Sequence, residues 1–302
     1  MNIIITGASG FVGLNLTTYL QHNHHVVHTL SLRNAKWKEN INSSANAIIH
    51  LAGKAHDTKK KSDASEYFQV NTELTKELYD WYLKSDVKDF FFFSTVKAVA
   101  DVVDGVLTEE VEAKPITPYG QSKLKAEEFI LSQPLPNEKR VFIIRPCMIH
   151  GPGNKGNLNL LYNVVKKGIP WLMAAYSNKR SFLSIDNLNY LIEQMLMNPT
   201  MKSGIYNFAD DEALSTNELV ALIAEASDKK PILWKINKKT INGLAKIGDK
   251  LKLPLNSDRL TKLTENYIVS NAKVKRALNI EKLPLSARQG LTKTIESFNV
   301  NC

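Results

Sequence analysis

The chain has 302 residues, 43% of them hydrophobic and 23% charged, which is enough apolar material to bury a full core in one large domain or two closely joined ones and excludes a disordered chain. Its formal charge of +9 comes from scattered lysines, with Lys59-Lys60-Lys61 the one tight run and no recognised nucleic-acid motif beside it, so anionic small ligands are expected and nucleic acid is not. The apolar runs are far too short to span a membrane, the first residues leave no room for a signal peptide, and two cysteines make neither a disulfide framework nor a metal spacing; a cytoplasmic protein without membrane insertion is expected.

Residues 2–6 read as a short apolar strand, and Gly7-Ala-Ser-Gly10-Phe-Val-Gly13 turns it into a helix predicted over 14–21. Glycines so placed permit a tight turn and let the backbone approach a pyrophosphate, which then sits on amides at the helix N-terminus. The spacing is GxxGxxG, one residue longer than the Rossmann fingerprint GxGxxG; such turns also serve packing, and the position after the first strand favours phosphate.

A second strand is predicted over 26–32. His22, His24, His25 and His28 cluster around its start, but no carboxylate or cysteine joins them at ligand spacing and no metal site is expected. Where an NAD enzyme carries an acid for the ribose 2′-hydroxyl, this chain reads Leu30-Ser-Leu-Arg33. Arg33 suits a 2′-phosphate and tilts the expectation toward NADP(H) over NAD(H), unless it is an ordinary surface arginine.

The third strand, 47–51, is followed by a polar loop over 56–62, a helix over 63–84 and the run Phe90-Phe-Phe-Phe93-Ser94-Thr95. A strand this apolar on both faces belongs to a parallel sheet. After a loop over 99–117 comes Pro118-Tyr119-Gly-Gln-Ser-Lys123, a proline that can open a helix and a tyrosine and lysine four residues apart on one face. An ammonium close to a phenol of pKa about 10 favours phenolate and lowers that value, and a tyrosine so tuned can donate or accept protons. The plainer alternative is a surface i,i+4 pair.

The helix is predicted to run to 132, with a strand over 140–144, and this alternation gives an α/β, Rossmann-type doubly wound parallel sheet. Cys147 reads as core. Beyond Arg145-Pro146 the pattern changes: a loop at Gly151-Pro-Gly153-Asn-Lys-Gly156, two helical segments flanking Asn178-Lys-Arg180-Ser181, a strand over 204–209, and a capping box Ser215-Thr-Asn-Glu218. From 231 onward the chain is basic and helical. The expected division is a dinucleotide-binding domain of residues 1–153 and 184–210, and a smaller C-terminal substrate-binding lobe of 154–183 and 211–302.

Taken together, Thr6-Gly-Ala-Ser-Gly-Phe-Val-Gly13, His50-Leu-Ala-Gly53, Ser94-Thr95, Tyr119-Gly-Gln-Ser-Lys123, Arg145-Pro146 with Gly151-Pro-Gly153, and Arg180-Ser-Phe-Leu-Ser-Ile-Asp186 resemble the extended short-chain dehydrogenase/reductases. Within them the chain is similar to the NAD-dependent epimerase/dehydratase family acting on nucleotide sugars, most of all to bacterial UDP-4-keto-sugar reductases. The resemblance implies that Tyr119 is the acid/base, that Lys123 lowers its pKa and holds the nicotinamide ribose, and that Thr95 completes the triad by hydrogen-bonding the sugar C4 oxygen. It implies dinucleotide contacts from Gly7, Ser9, Gly10, Phe11, Val12 and Gly13, and from Arg33, Leu51, Ala52, Gly53 and Pro146. Arg180 would grip the substrate diphosphate, with Asn157 and Arg259 as further contacts to the nucleotide sugar. Asn71 matches an asparagine under the sheet, with a structural role expected.

Departures matter as well. Val96-Lys97 stands where sugar dehydratases carry an Asp-Glu pair, which disfavours dehydration; Val99 and His150 each replace a usual tyrosine and are expected to alter pocket shape. The implied activity is reduction of the C4 carbonyl of a UDP-4-keto-6-deoxy sugar for bacterial polysaccharide biosynthesis. The alternatives are a UDP-sugar 4-epimerase and, in another class, a non-catalytic dinucleotide-sensing protein, which would commonly lose the tyrosine or lysine kept here. A homodimer through the helices at 63–84 and 118–132 is implied too. Relatives place two crossovers and a strand between the second and third strands seen here, whereas residues 34–46 supply thirteen positions and one helical crossover takes about ten to twelve. The sheet should therefore lack its outer strand, leaving 26–32 at the edge and the adenosine end of the cofactor covered by Arg33 and the 37–41 stretch, with an exchangeable cofactor as the consequence.

Overall fold

The computed structural model describes residues 1–34, 36–55, 63–154, 156–251 and 256–300, the side chains of Asn157, Asp258, Asn299 and Val300 excepted. The polar loop expected over 56–62 lies outside the described residues.

Strand and helix alternate from the first residues: β1 (Asn2–Thr6), α1 (Phe11–His22), β2 (Val26–Leu30), β3 (Ala47–His50), α2 (Ala64–Phe68), α3 (Leu74–Lys84) and β4 (Asp89–Phe93). Then come β5 (Val106–Leu107), α4 (Pro118–Ser132), β6 (Arg140–Pro146), β7 (Met148–His150), α5 (Asn157–Lys166), β8 (Arg180–Ser184), α6 (Ile185–Met197) and β9 (Gly204–Phe208). The remainder is β10 (Ala213–Leu214), α7 (Thr216–Glu225), α8 (Lys238–Leu251), α9 (Ser257–Thr264), β11 (Ile268–Val269), α10 (Ala272–Leu278) and α11 (Ala287–Val300).

Six strands form one parallel sheet in the order β2-β1-β3-β4-β6-β9. Successive side chains of a strand face opposite layers, and the core divides accordingly. Ile3, Ile5, Phe91, Phe93, Phe142 and Ile144 pack in the layer that holds Leu16 and Leu20 of α1 and Leu188 and Ile192 of α6. Ile4, Phe90, Phe92, Val141 and Ile143 pack in the layer that holds Tyr79 and Tyr82 of α3 and Ala126 and Ile130 of α4. Helices on both faces explain why the phenylalanine run can be apolar at every position.

The residue count across 34–46 is met: among the described residues there one short 3₁₀ turn, Trp37–Glu39, bridges β2 to β3, and β2 is the sheet edge. Trp37, 3% exposed, turns inward against Leu30, Leu32 and Ala45. Its role is to close the core beneath the edge.

A separate apolar cluster joins Leu161 of α5, Phe182 of β8, Leu219 and Ile223 of α7, Ile241 of α8, Leu260 of α9 and Leu291 of α11. Two small sheets were not anticipated, one of three strands and one of two. β8 pairs with β7 and β10 where a helix-flanked loop was expected around Arg180, and β5, inside the expected 99–117 loop, pairs with β11 from far along the chain. Strands of two to five residues carry little periodicity, and their pairing is decided by the surrounding layers.

Candidate active site

The carboxyl ends of β1, β3, β4 and β6 converge on one edge of the sheet, the place where open α/β sheets hold ligands. At the end of β1, Gly7 has φ +71°, and a Cβ there would stand 2.6 Å from the Ala52 amide nitrogen. The turn and the β3 loop can meet only over a glycine. α1 then begins at Phe11 with Gly10 as its N-cap, three residues earlier than the sequence reading, so Phe11, Val12 and Gly13 form its first turn. Ser9 and Gly10 are exposed beside that helix N-terminus, which presents unpaired amides to an anion.

His50, at the end of β3, is fully buried between two hydroxyls. Its Nδ1 lies 2.7 Å from Thr6 Oγ1 and its Nε2 2.9 Å from Thr75 Oγ1. Thr75 donates to the Asn71 carbonyl, so its oxygen accepts from Nε2–H; Thr6 Oγ1 accepts the Ala52 amide and donates to Nδ1. The imidazole is thereby neutral with its proton on Nε2, and burial, helped by the nearby Lys123 charge, pushes its pKa down to about 3. This chain of bonds ties the glycine turn, the Leu51-Ala52-Gly53 loop and the long helix into one support. Asn71 sits on a π-helical turn, Gln69–Glu73, between α2 and α3. Its side chain accepts the Lys54 amide at 2.7 Å and donates to the Lys54 carbonyl and to Ser122 Oγ, each at 3.0 Å. The structural role expected for Asn71 is what these contacts describe.

α4 starts where Thr117 caps it, its hydroxyl accepting from the Gly120 amide, with Pro118 in the first turn. Gly120 allows the helix to close on the turn after β4, since a Cβ there would stand 2.3 Å from the Lys97 carbonyl oxygen. That contact brings Tyr119 to Thr95. Thr95 Oγ1 accepts the Lys97 amide at 3.2 Å, which leaves its own proton for the Tyr119 oxygen, and the Thr95 hydroxyl acts to lower the phenol pKa. Burial outweighs it, with Tyr67 adding to the rise, and the phenol is pushed up from 10.0 to about 12. The sequence reading had Lys123 lowering it. The reason for the difference is geometric: Lys123, 4% exposed, turns its Nζ to the Phe93 carbonyl at 2.8 Å and to the face of Phe92. Its own pKa is brought down by burial to about 8, with Glu127 opposing. The backbone of Gly53 runs beside it, with an ideal Cβ position 3.1 Å from Nζ.

Below Lys123, Glu127 is buried against Arg145, whose Nε lies 3.1 Å from both carboxylate oxygens, and it also accepts from the Ser94 hydroxyl. Sequence reading passed over this pair, although Glu127 stands four residues after Lys123 and Arg145 interrupts an apolar strand, which is the available signal. Pro146 ends β6, buried.

Lys97, in the position of the dehydratase acids, is half-buried; its Nζ donates to the Asp101 carbonyl at 2.7 Å and lies 4.2 Å from the centre of the Tyr267 ring. Burial lowers its pKa, while Glu265 and Asp101 oppose and Arg180 and Lys262 add to the fall. Arg180, half-buried at the start of β8, donates to the Lys262 carbonyl of α9, and the same helix carries the exposed Arg259. Lys97, Arg180 and α9 therefore share one cationic corner. The Asn157 side chain lies outside the described residues. Arg33 is exposed just past the edge strand β2. Val99 and His150 do not shape a pocket as expected. Val99 is wholly buried in the core, and His150 packs behind α11, with Nδ1 2.9 Å from Thr294 Oγ1 and Nε2 3.6 Å from Asp210.

Residues 3–209 match the NAD dependent epimerase/dehydratase family. Over 98% of its length the chain is 30% identical to a UDP-glucose 4-epimerase of Vibrio cholerae, 95% of which is covered. It is 24% identical to a GDP-6-deoxy-D-mannose reductase of Pseudomonas aeruginosa, over 74% of this chain and 79% of that one. Among solved structures, RMD from Pseudomonas aeruginosa complexed with NADPH superposes with a TM-score of 0.77 at 20% identity, covering 100% of this chain and 99% of that one. At that identity the likeness speaks for the fold.

Proposed function

The chain belongs to the NAD dependent epimerase/dehydratase family, an enzyme family of nucleotide-sugar chemistry that uses nicotinamide dinucleotides, and we propose that it reduces the C4 carbonyl of a UDP-4-keto-6-deoxy sugar. The observation that carries this reading is the Lys97 amide, Thr95 hydroxyl and Tyr119 phenol in series, with the phenol held protonated by burial. Reduction of a carbonyl needs a proton donor at the oxygen, and an alkoxide is basic enough to take the proton of such a phenol. A bound reduced nicotinamide would supply the hydride. Thr95 steadies the oxygen as charge develops, which in a water-poor site is the largest contribution these side chains can make. Lys123 holds the ribose, with its ammonium anchored on the Phe93 carbonyl. The glycine turn and the first turn of α1 receive the pyrophosphate, with Gly53 and Pro146 along its path. Arg33 suits a 2′-phosphate, which favours NADP(H). Arg180 takes the substrate diphosphate, supported by Asn157 and Arg259, and the lobe of 154–183 and 211–302 covers the sugar. Val96-Lys97 stands in place of the dehydratases' acid pair, so dehydration is not part of the reading.

A 4-epimerase is the second reading, favoured by the Vibrio cholerae relative. It begins by taking a proton from the C4 hydroxyl, for which a phenol pushed up to about 12 is poorly prepared. The test is substrate-dependent loss of reduced-cofactor absorbance, with NADPH and NADH compared; a reductase consumes it stoichiometrically and an epimerase shows no net loss. A homodimer through the helices of 63–84 and 118–132 goes with this reading and is checked by light scattering.

The reaction should also show a defined pH dependence. With Tyr119 protonated throughout, Lys123 is a titrating group of the triad, and its pKa of about 8 means its charge is present below that value and lost above it. The rate of reduction is expected to be level on the acid side and to fall as pH rises through about 8. A rate that climbs with pH across that range would assign the phenolate, not the phenol, to the reaction. Arg180→Ala should raise KM for the UDP-sugar about tenfold to a hundredfold, the equivalent of one charge-assisted phosphate contact, with dinucleotide affinity nearly unchanged. Unaltered sugar affinity in a titration would remove Arg180 from the site.

A further inference from the structure

α8 presents two apolar faces where one is sufficient for packing. Ile241, Ala245 and Gly248 are buried on one side, against α9 and its neighbours. Leu244, Ile247 and Leu251, spaced i, i+3 and i+7, form a second stripe that is 45%, 51% and 65% exposed. At 100° per residue this stripe lies about a quarter turn from the buried one, and Lys239, Lys246 and Lys250 lie on the side away from the core. A strip of leucine and isoleucine between the protein body and a row of lysines is the pattern of a helix lying in a bilayer interface, with its aliphatic face sunk and its ammonium groups at the headgroups. The surroundings carry the same sign. Between residues 229 and 250 there are seven lysines and one acid, Asp249, and that acid is engaged by the Ser257 amide and hydroxyl at 2.9 and 2.6 Å. Trp234, on the segment leading into α8, is 53% exposed, and tryptophan is favoured at the headgroup level.

We propose that the exposed face of α8 docks the protein onto an anionic membrane surface. No helix among the described residues is long and apolar enough to cross a membrane, so the attachment is peripheral and reversible. The net positive charge decides among occupants. A second copy of this chain in a two-fold contact would bring the lysine rows against each other, and a nucleic acid would gain nothing from the aliphatic stripe, whereas a negatively charged leaflet complements both the stripe and the row.

The inference does not depend on the proposed substrate, and its test is read by sedimentation, not turnover. The full chain is spun with vesicles of phosphatidylglycerol and phosphatidylcholine in equimolar mixture, and with phosphatidylcholine alone, at low and high salt. Expected is pelleting with the anionic vesicles, weakened by salt, and little with the neutral ones. Lys246→Gln with Lys250→Gln should weaken binding about fivefold for each charge removed. Ile247→Ser with Leu251→Ser should abolish it, with the thermal unfolding midpoint of both variants unchanged. Parent protein remaining in the supernatant with anionic vesicles would overturn the proposal, as would undiminished pelleting of the serine variant. Conversion of a larger species to monomer by the serine substitutions, without vesicle binding by the parent, would assign the stripe to self-association instead.

Discussion

Tyr119→Phe is expected to cut turnover by about two to four orders of magnitude, the contribution of a positioned proton donor, and to leave dinucleotide affinity nearly unchanged. The ring of a phenylalanine occupies the same half-buried space beside Tyr67, and only the hydroxyl that meets Thr95 is lost. Without it the developing alkoxide must draw its proton from water, and Thr95, which accepts the Lys97 amide, keeps a single proton to offer. Steady-state rates with a parallel cofactor titration make the measurement. Undiminished turnover would show that another group carries the proton, whereas loss of cofactor affinity alongside the rate would show that the phenol's main role is to build the dinucleotide site.

The second large effect concerns stability. Glu127 is 1% exposed and Arg145 4%, and the carboxylate also accepts from the Ser94 hydroxyl. Glu127→Ala leaves the guanidinium buried without its counter-charge, and a loss of about 3–5 kcal/mol is expected in denaturant unfolding. Glu127→Ala combined with Arg145→Leu should recover much of that loss, because the penalty lies in the stranded charge and not in the absence of the pair. A single-variant loss under about 1 kcal/mol, as for an exposed pair, would contradict the burial argument. The variant has a kinetic consequence too. Glu127 holds up the pKa of Lys123 against burial, so its removal should move the alkaline fall in rate to lower pH.

Sequence reading succeeded where the signal is local. The phenylalanine run announced a strand covered on both faces, the thirteen positions of 34–46 limited the crossover and hence the sheet edge, and Pro118 with the Tyr119 to Lys123 spacing located α4 to its observed ends. It failed where the deciding partner is distant in sequence. β8 exists because Arg180–Ser184 lies between β7 and β10, and nothing within those five residues says so. The His50 bonds to Thr6 and Thr75, 44 and 25 residues away, are equally invisible. The Tyr119 expectation failed for another reason: i,i+4 spacing puts two side chains on one helix face, but the Phe93 carbonyl, which competes for the Lys123 ammonium, comes from a different strand. Burial of the phenol then decides the sign of its shift. His150 and Val99 were expected, from the resemblance, to alter pocket shape by replacing two tyrosines, and their burial is a matter of how α11 and the sheet close over them.

The central claim is that the protein reduces a sugar C4 carbonyl with Tyr119 as acid, and isotope transfer tests it most directly. Purified protein is incubated with a UDP-4-keto-6-deoxy-hexosamine and each of the two C4-deuterated stereoisomers of the reduced dinucleotide, and the product is read by NMR. The account predicts that one isomer delivers deuterium to sugar C4, with one oxidised dinucleotide released for each sugar formed and the alcohol accumulating. Interconversion of UDP-sugar C4 epimers without net cofactor oxidation and without deuterium from the medium cofactor at C4 would contradict it, and would assign the same side chains to an enzyme that keeps its dinucleotide through the cycle.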